Sequence, residues 1–368
     1  MQKAFSTQTK LIVVALAATA FSTPALAETA NVSIYGKADL SFDVINTGAA
    51  ANGTAGVSKN NVSSNVSKLG FKGAEGLGEG LSAIWQIEQQ INMDDTGGTL
   101  GTRNTFAGLK SDSMGTVLLG RHDTPYKLAT RKLDIFGDSI ADNRALLGGV
   151  TSPTTVDSAF AAFDGRQPNV IAYISPELSG FTGAIAYVNL AEANTTAAAA
   201  KSSALSLAGM YKAGPLYAGL GYEEHELSSV AGTKESAWKL GVGYNINALG
   251  LGFIYEKTDD NTGALGANVR GHDAYYLSAK YKMGMNAIKA AYGKAGQIGA
   301  TPNTDANQFS LGYDHGLSKR TKLYAIYSRI SNGTGSNYGF SQSTASAGTV
   351  NGVGASPSVV SLGLQHNF

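Results

Sequence analysis

The last eleven residues of the chain alternate between two kinds of side chain. One side of an extended strand would carry Val360, Leu362, Leu364, His366 and Phe368, and small or polar residues would occupy the other side. Successive side chains of a strand point to opposite faces, so one face suits hydrocarbon and the other suits water. A terminal strand with an open edge promotes aggregation unless another strand pairs with it. In a closed barrel that partner is the first strand.

The predicted first strand, residues 32–44, alternates in the same way. Apolar or small residues occupy its even positions, whereas Lys37, Asp39 and Asp43 occupy odd positions. Three charges on one face exclude that face from a dry core. Apolar side chains outside and polar side chains inside are typical of a membrane barrel with an aqueous lumen. The alternation recurs at residues 238–244, 275–282 and 309–314.

Connections of two lengths separate the predicted strands. Seven short ones contain Gly or Pro, near residues 76–80, 111–115, 176–180, 213–215, 247–250, 283–285 and 315–319, and eight longer polar ones cover residues 46–61, 93–102, 122–165, 191–202, 227–234, 258–271, 295–304 and 331–357. Fifteen connections predict sixteen strands with both termini on one side, and bacterial single-chain barrels share this even strand number. The predicted fold is therefore an all-β, transmembrane, antiparallel up-and-down barrel. Two soluble β-sandwich domains are the alternative, but they would have to bury the charged face or expose an unusually apolar one.

The N-terminus has the features of an export signal. Lys3 and Lys10 precede an apolar run at residues 11–21, and Pro24-Ala-Leu-Ala27 supplies a small-residue cleavage pattern. This order predicts a secretory signal peptide over residues 1–27 and a barrel domain over residues 28–368. An N-terminal membrane anchor is the alternative, but an anchor needs about 20 apolar residues.

The composition excludes several classes of function. The chain contains no Cys, which excludes disulfides, zinc–thiolate sites and Cys nucleophiles. Without Lys3 and Lys10, 26 Lys and Arg residues stand against 27 Asp and Glu residues, a net charge of −1. We expect no nucleic-acid partner, since such a partner requires a strongly basic domain. No later apolar run reaches the ~18 residues of a spanning helix, so the chain would cross a membrane with strands.

The third long connection, residues 122–165, is far longer than an ordinary loop, which favours a function for it. Residues 126–136 are partly apolar and predict a short helix, and a barrel of sixteen strands leaves an aqueous channel. We expect this connection to fold inward and narrow the channel. Its candidate acidic residues at the constriction are Asp123, Asp134, Asp138 and Asp142.

Basic residues are the candidates for the opposite wall. They are Lys37, Lys68 and Lys72 on early strands, together with Arg103, Arg121 and Arg166 next to the long connection. Acids on one side and bases on the other would create a transverse field that orients permeating dipoles and biases the choice of ions. The alternative is that these charges are merely solvated in a wide lumen or lie at the barrel ends.

Several segments resemble the general diffusion porins of Gram-negative outer membranes, particularly the neisserial and burkholderial type. They are Val32-Ser-Ile-Tyr-Gly36, residues 67–81 with Trp85-Gln-Ile-Glu88, residues 103–109, residues 115–126, Asn169-Val-Ile-Ala-Tyr-Ile-Ser-Pro176 and the terminal Phe. Their order covers essentially the whole mature chain. Lys68 stands where the family commonly has Arg, so the charge is kept but the planar fork is lost. The Pro-Glu-Phe-Gly-Gly loop signature of some enterobacterial relatives is missing.

The resemblance implies a sixteen-stranded barrel that forms a homotrimer, with the third loop folded into the pore. It places Arg121 at the start of the third-loop segment, Asp134 and Asp138 within it, and Arg166 at the start of the following strand. It also implies that the barrel-assembly machinery reads the terminal strand, with Phe368 as the assembly signal. Outer-membrane lipid, small hydrophilic solutes and ions are the remaining expected partners.

Catalytic motifs do not occur in the sequence. The five His residues are scattered, and neither G-x-S-x-G nor H-E-x-x-H is present, whereas a hydrolase triad needs Ser, His and a carboxylate within reach. The Gly-rich residues 73–80 lack the Gly-Lys-Ser/Thr of a phosphate loop. We expect no enzymatic activity, no cofactor and no metal site.

The predicted function is a passive, water-filled channel in the outer membrane for small hydrophilic solutes and ions. A channel with a specific site for a sugar or an anion is one alternative, and a plugged structural or adhesive barrel is another. Neutralising Asp134 and Asp138 together is expected to shift selectivity toward anions at low salt, where charges are poorly screened.

Overall fold

The computed structural model describes residues 31–95, 100–148, 163–190, 203–227, 233–260, 271–341 and 349–368. The predicted signal peptide, residues 1–27, lies outside these ranges. Within them the chain is almost entirely β-structure, and the helical segments fall in the third long connection. In the described ranges no helix is long and apolar enough to cross a membrane.

The strands follow one another in chain order and pair antiparallel. They are β1 Asn31–Asn46, β2 Ser58–Ser64, β3 Lys68–Gly78, β4 Leu81–Gln90, β5 Thr105–Ser111, β6 Gly115–Asp123, β7 Arg166–Ile174, β8 Phe181–Asn189, β9 Ser203–Ala213, β10 Leu216–Leu227, β11 Thr233–Ile246, β12 Leu249–Asp260, β13 Asp273–Met283, β14 Asn286–Ala295, β15 Ala306–Gly316, β16 Thr321–Asn332 and β17 Ser358–Asn367. Helix α1 spans Pro125–Thr130, and two 3₁₀ turns span Arg131–Leu133 and Asn143–Ala145.

These seventeen segments make sixteen barrel strands, because β2 and β3 are two halves of one. The second half of β1 pairs with β2, and its first half pairs with β3. Residues 65–67 interrupt the strand, and Val66 there has a φ of 54°. The interruption stays bound to β1, since Asn65 N–H donates to the Asp39 carbonyl at 2.8 Å and Ser67 Oγ accepts from Asp39 N–H at 3.0 Å. The predicted strand number is confirmed, whereas this break was not predicted.

The first and last strands close the barrel. β1 and β17 run antiparallel in register from Lys37 opposite Asn367 to Asn46 opposite Ser358, which confirms the predicted pairing of the terminal strand. Beyond β17, Phe368 exchanges two backbone hydrogen bonds with Gly36, of 2.9 and 3.1 Å. Closure leaves no open edge in the sheet, so the backbone groups of the strands are satisfied by neighbouring strands, as lipid requires.

The two faces of the strands are as predicted. In β1, Phe42 and Val44 are exposed on the outside, and Lys37, Asp39 and Asp43 are buried on the inside. The exposed outer faces of β10–β17 carry further Leu, Val, Ile, Phe and Tyr side chains. A surface that is apolar outside and charged inside is the reverse of a soluble protein and matches a barrel in lipid around water.

The predicted short connections all join neighbouring strands at one end of the barrel. Four of them consist of two residues, among them Gly214-Pro215 between β9 and β10, and Gly284-Met285 between β13 and β14. Gly214 and Gly284 have positive φ values of 50° and 60°, a conformation that glycine adopts without steric cost. The long connections lie at the opposite end, with the third one running between β6 and β7.

Candidate functional site

The third loop, which connects β6 to β7, packs against the inner side of β8–β12. Helix α1 contacts β8–β11, and the turn Arg131–Leu133 contacts β11 and β12. The helix begins at Pro125, whose fixed φ suits the first turn. This confirms the predicted short helix within residues 126–136.

Glycines on the inner wall make room for this loop. A Cβ atom at Gly219 would lie 2.1 Å from the Ala129 carbonyl oxygen, and one at Gly241 would lie 2.6 Å from Leu133 Cδ1. Real Cβ atoms do not approach other heavy atoms this closely. The loop therefore lies directly on backbone, in a groove where the wall carries no side chains.

Hydrogen bonds from wall tyrosines fasten the loop in this groove. Tyr217 Oη donates to the Ala129 carbonyl at 2.5 Å, and Tyr276 Oη donates to an Asp134 carboxylate oxygen at 3.0 Å. In the opposite direction, Tyr126 of the loop donates its hydroxyl to Glu256 of β12 at 2.7 Å. The loop thus contacts β10, β12 and β13 through polar bonds in addition to packing.

Five charged residues tie the loop to itself. In this loop cluster, Arg131 and Arg144 bridge three carboxylates, those of Asp134, Asp138 and Asp142. Arg131 reaches them at 3.3, 2.8 and 3.0 Å, respectively. One guanidinium group pairs with several carboxylates. The cluster therefore has to order fewer side chains for each ion pair than separate pairs would, which lowers the cost in side-chain entropy.

The three acids of the loop cluster differ in exposure. The side chains of Asp134 and Asp142 are 1% and 0% exposed, whereas that of Asp138 is 29% exposed. Asp134 accepts backbone N–H bonds from Phe136 and Asn143, so its oxygens are used within the loop. Asp138 has a φ of 62°, which turns the chain at this position. Of the three, Asp138 is the acid that faces open space.

The protonation of these acids follows their surroundings. Burial opposes ionisation of Asp142, but the Arg131 and Arg144 charges outweigh it and hold the pKa of Asp142 well below its usual range. Burial and the negative charge of Asp142 raise the pKa of Asp134 to about 6. For Asp138, burial is outweighed by the charges of Arg131 and Lys37, which lower its pKa. A proton added to the cluster therefore goes to Asp134 first.

A cavity of about 180 Å³ separates the tip of the loop from the wall formed by β1 and β14–β17. We call it the constriction cavity. Asp138 lines it on the loop side, and Lys37, Lys289 and Lys322 line it on the wall side. Lys37 is paired with Asp39 at 3.2 Å, and Lys289 and Lys322 share Asp314 at 2.9 and 3.3 Å. An acid and several bases thus face each other across the gap.

The structure brings two more of the predicted basic residues to one carboxylate. Lys68 and Arg103 both pair with Glu88 of β4, at 3.2 and 2.6 Å, and Tyr35 Oη also donates to Glu88 at 3.0 Å. The Lys72 ammonium lies 5.2 Å from the centroid of the Tyr35 ring. These residues form a patch on β1–β4, and Arg103 lies within electrostatic range of Asp138.

Asp123, Arg166 and Arg121 lie together where the third loop leaves and rejoins the barrel. Asp123 pairs with Arg166 at 3.0 Å and with Lys127 at 2.8 Å. Arg121 donates to the Thr102 carbonyl at 3.1 Å. Asp123 is therefore separated from the loop cluster and is neutralised by its own neighbours.

Sequence reasoning did not select several residues that line the site. Arg131 and Arg144 hold the loop acids, Lys289 and Lys322 line the constriction cavity, and Glu88 pairs two predicted bases. The available signal was glycine at inward positions of β10 and β11, Gly219-x-Gly221 and Gly241-x-Gly243, where inward side chains would be expected in an open channel. Such glycines mark where another chain segment lies.

The profile of one protein family, described as Gram-negative porin, matches residues 13–336. The chain belongs to this family. Outer membrane porin protein 32 of Delftia acidovorans is 28% identical, with 98% of this chain and 100% of the relative covered. Major outer membrane protein P.IB of Neisseria lactamica is also 28% identical, with 82% and 83% covered. The solved structure of the anion-selective porin from Comamonas acidovorans superimposes with a TM-score of 0.77, at 26% identity over 92% of this chain and all of that one.

Family and fold together give the location and the general activity. A closed barrel of sixteen strands with porin relatives is a pore protein of the Gram-negative outer membrane. Family and relatives indicate a channel rather than an enzyme. In the part of the chain that the structure describes, no group of three or more His, Asp or Glu side chains could hold a metal ion.

Proposed function

We propose that the protein is a passive, water-filled channel for small hydrophilic solutes and ions, whose narrowest part is the constriction cavity. The observation that carries this proposal is the charged inner surface of a closed barrel with a loop seated on its inner wall. Charges inside a barrel require water or partners, and here several stay partly exposed, such as Lys322 and Asp138. Helix α1 and the turn Arg131–Leu133 contact β8–β12, and later loop residues pack toward β12–β17. The water path in this proposal therefore lies between Asp138 and the facing lysines.

The ion preference is set by the constriction cavity in this proposal. Asp138 supplies the exposed negative charge, and Lys37, Lys289 and Lys322 supply positive ones. Lys37 pairs with Asp39, whereas Lys289 and Lys322 share the single carboxylate of Asp314. The remaining predicted acids, Asp123, Asp134 and Asp142, influence permeating ions through their charge rather than by contact.

Planar-bilayer recording of the purified protein tests the channel. Stepwise conductance that grows in proportion to salt concentration supports a water-filled pore. A plugged or adhesive barrel would insert without steps. Block that saturates with one sugar, while other sugars have no effect, would instead favour the solute-selective alternative.

A preference for anions is a second candidate, and a specific observation favours it. Three lysines and two aspartates, Asp39 and Asp138, line the constriction cavity. In addition, a structural neighbour at 26% identity is named an anion-selective porin. The reversal potential across a salt gradient decides it. A reversal potential whose sign shows that chloride permeates faster than potassium supports this candidate. A reversal potential of the opposite sign rejects it.

Assembly completes the proposal. A signal peptide over residues 1–27 exports the chain, the barrel-assembly machinery inserts it by way of the terminal strand, and three copies form a homotrimer in outer-membrane lipid. Family membership supports the outer-membrane location. N-terminal sequencing of the mature protein should begin at Glu28, and chemical cross-linking should stop at three chains.

A further inference from the structure

A second cavity, of about 400 Å³, lies under the third loop toward the short-turn end of the barrel. Lys132 lines it from the loop side, Asn245 and Asn247 line it at the turn between β11 and β12, and Lys280 and Lys282 line it from β13. We call it the lysine cavity. It differs from the constriction cavity in place and in lining, because Ile135 is the one residue that the two linings share.

The positive charge of the lysine cavity is not balanced. Among the described residues, Lys132, Lys280 and Lys282 form no ion pair, unlike Lys37, Lys289 and Lys322. The acid that interacts with Lys280 is Asp314. Asp314 already pairs with Lys289 and Lys322. Asp134 also lines the cavity, but its oxygens accept bonds from the loop and from β13.

Lys132 is held in place rather than free in solvent. Its ammonium lies 3.3 Å from the centroid of the Tyr217 ring, and Tyr217 is itself fixed by its bond to the Ala129 carbonyl. A cation over an aromatic face is attracted by the ring quadrupole. Burial and, to a smaller extent, the nearby charge of Lys212 lower the pKa of Lys132.

The lysines continue toward the constriction cavity. Lys280 lies opposite Lys289 in the register of β13 and β14, and it is within electrostatic range of Lys282 and Lys322. A row of ammonium groups therefore runs along one wall from the constriction cavity to the short-turn mouth. Asn245 and Asn247 add amide N–H groups, which are neutral donors suited to oxyanions.

We propose that the lysine cavity is a binding site for small polyvalent oxyanions at the short-turn mouth of the channel. The proposal rests on the channel function proposed above. Three ammonium groups around one space favour an anion with several charges over chloride, because the attraction grows with the product of the charges. Anions leaving the constriction cavity would reach this site along the lysine row.

Inorganic pyrophosphate is the probe. With wild-type channels in a bilayer at low salt, pyrophosphate added on the short-turn side is expected to reduce the chloride current in a concentration-dependent way. Replacing Lys132, Lys280 and Lys282 together by Gln is expected to raise the half-blocking concentration by about tenfold or more, since three charges close to the ligand are lost. The matched control replaces Lys110, Lys319 and Arg320 by Gln. These residues are exposed and lie at the same end of the barrel, on β5 and on the turn before β16. Replacing them removes the same number of positive charges.

The outcomes separate the two proposals. Equal block of wild type and of the cavity variant overturns the lysine cavity as a site, and so does an equal loss of block in the control variant. A wild type that conducts without block contradicts only this inference, whereas a wild type that does not conduct contradicts the channel itself. If the triple variant does not fold, Lys132→Gln and Lys282→Gln singly are each expected to weaken block about threefold, and unchanged block in both overturns the site.

Discussion

The carboxylate of Asp138 is partly exposed, whereas those of Asp134 and Asp142 are buried. Asp134 and Asp142 are closed inside the loop cluster, and Asp138 lines the constriction cavity with its side chain 29% exposed. A change at Asp138 should therefore act on ions by contact in the pore, and a change at Asp134 should act through its charge at a distance and through the shape of the loop. The sequence alone treated these acids alike, because spacing within a loop does not indicate which side chains turn inward.

Asp138→Asn is expected to raise the anion-to-cation permeability ratio about tenfold at low salt, because loss of the charge stabilises anions and destabilises cations by equal amounts. A unit charge about 6 Å from a permeating ion contributes about 0.7 kcal/mol at a water-like dielectric constant. The reversal potential across a salt gradient measures the ratio, and the shift should shrink in 1 M salt because screening shortens the field. Asp112→Asn, in the short connection between β5 and β6, is the control. A variant with the wild-type ratio would remove Asp138 from the ion path.

The pH dependence of selectivity should come from Asp134. Its pKa is raised to about 6, so lowering the pH from 7 to 5 protonates it and removes one negative charge next to the lysine cavity. The selectivity of the channel should therefore shift toward anions as the pH falls. Asp142 and Asp138, whose pKa values are lowered, stay ionised over this range. Reversal potentials from pH 7 to pH 5 should show the shift in wild type and not in Asp134→Asn. The same titration in both proteins would contradict the assignment.

At the scale of elements, the strands could be predicted from the sequence, but the position of the third loop on the inner wall could not. A period of two fixes which side of a strand meets lipid, and turn residues fix where strands end, so the number and order of barrel strands followed from residue order. The third loop has no such period. Its position depends on contacts with wall residues far away in the chain, such as Tyr217 and Tyr276. The split between β2 and β3 was also missed, although the outward apolar residues change from an even position at Val62 to an odd position at Phe71.

Gly219→Ala should displace the third loop. The added methyl group would meet the Ala129 carbonyl oxygen at 2.1 Å, with the Tyr217 hydroxyl 2.8 Å away. Overpacking of this kind costs about 1–3 kcal/mol, and moving α1 off the wall narrows the lumen. We expect a lower single-channel conductance and a lower unfolding temperature. Gly209→Ala is the matched control on β9, since a Cβ there meets nothing within 4 Å. Equal conductance in the two variants would show that the loop does not rest on Gly219.

For the whole molecule, the inner surface is organised around one loop. Leu133, Phe136, Ile140 and Leu146 of the loop form the main buried apolar cluster with residues of β12–β17. A smaller apolar cluster on β6–β9 forms without the loop. The other inner wall is polar and charged, from Lys37 on β1 to Arg103 before β5. A barrel of this size could not be filled by wall side chains alone. The polar wall is the side on which the proposed water path lies.

Phe368 extends the pairing that closes the barrel, and its deletion tests how far closure depends on this residue. The deletion removes two backbone hydrogen bonds to Gly36 and the ring that covers Gly36. Two hydrogen bonds contribute about 1–3 kcal/mol in total, and the remaining ten paired positions of β1 and β17 stay in place. Molecules that assemble should therefore conduct like the wild type, while the yield of folded trimer in the outer membrane should fall several-fold. Phe368→Tyr keeps the backbone and the aromatic ring and should assemble normally. A normal trimer yield after deletion would show that closure needs no terminal aromatic residue, and an altered conductance would show that Phe368 shapes the pore as well.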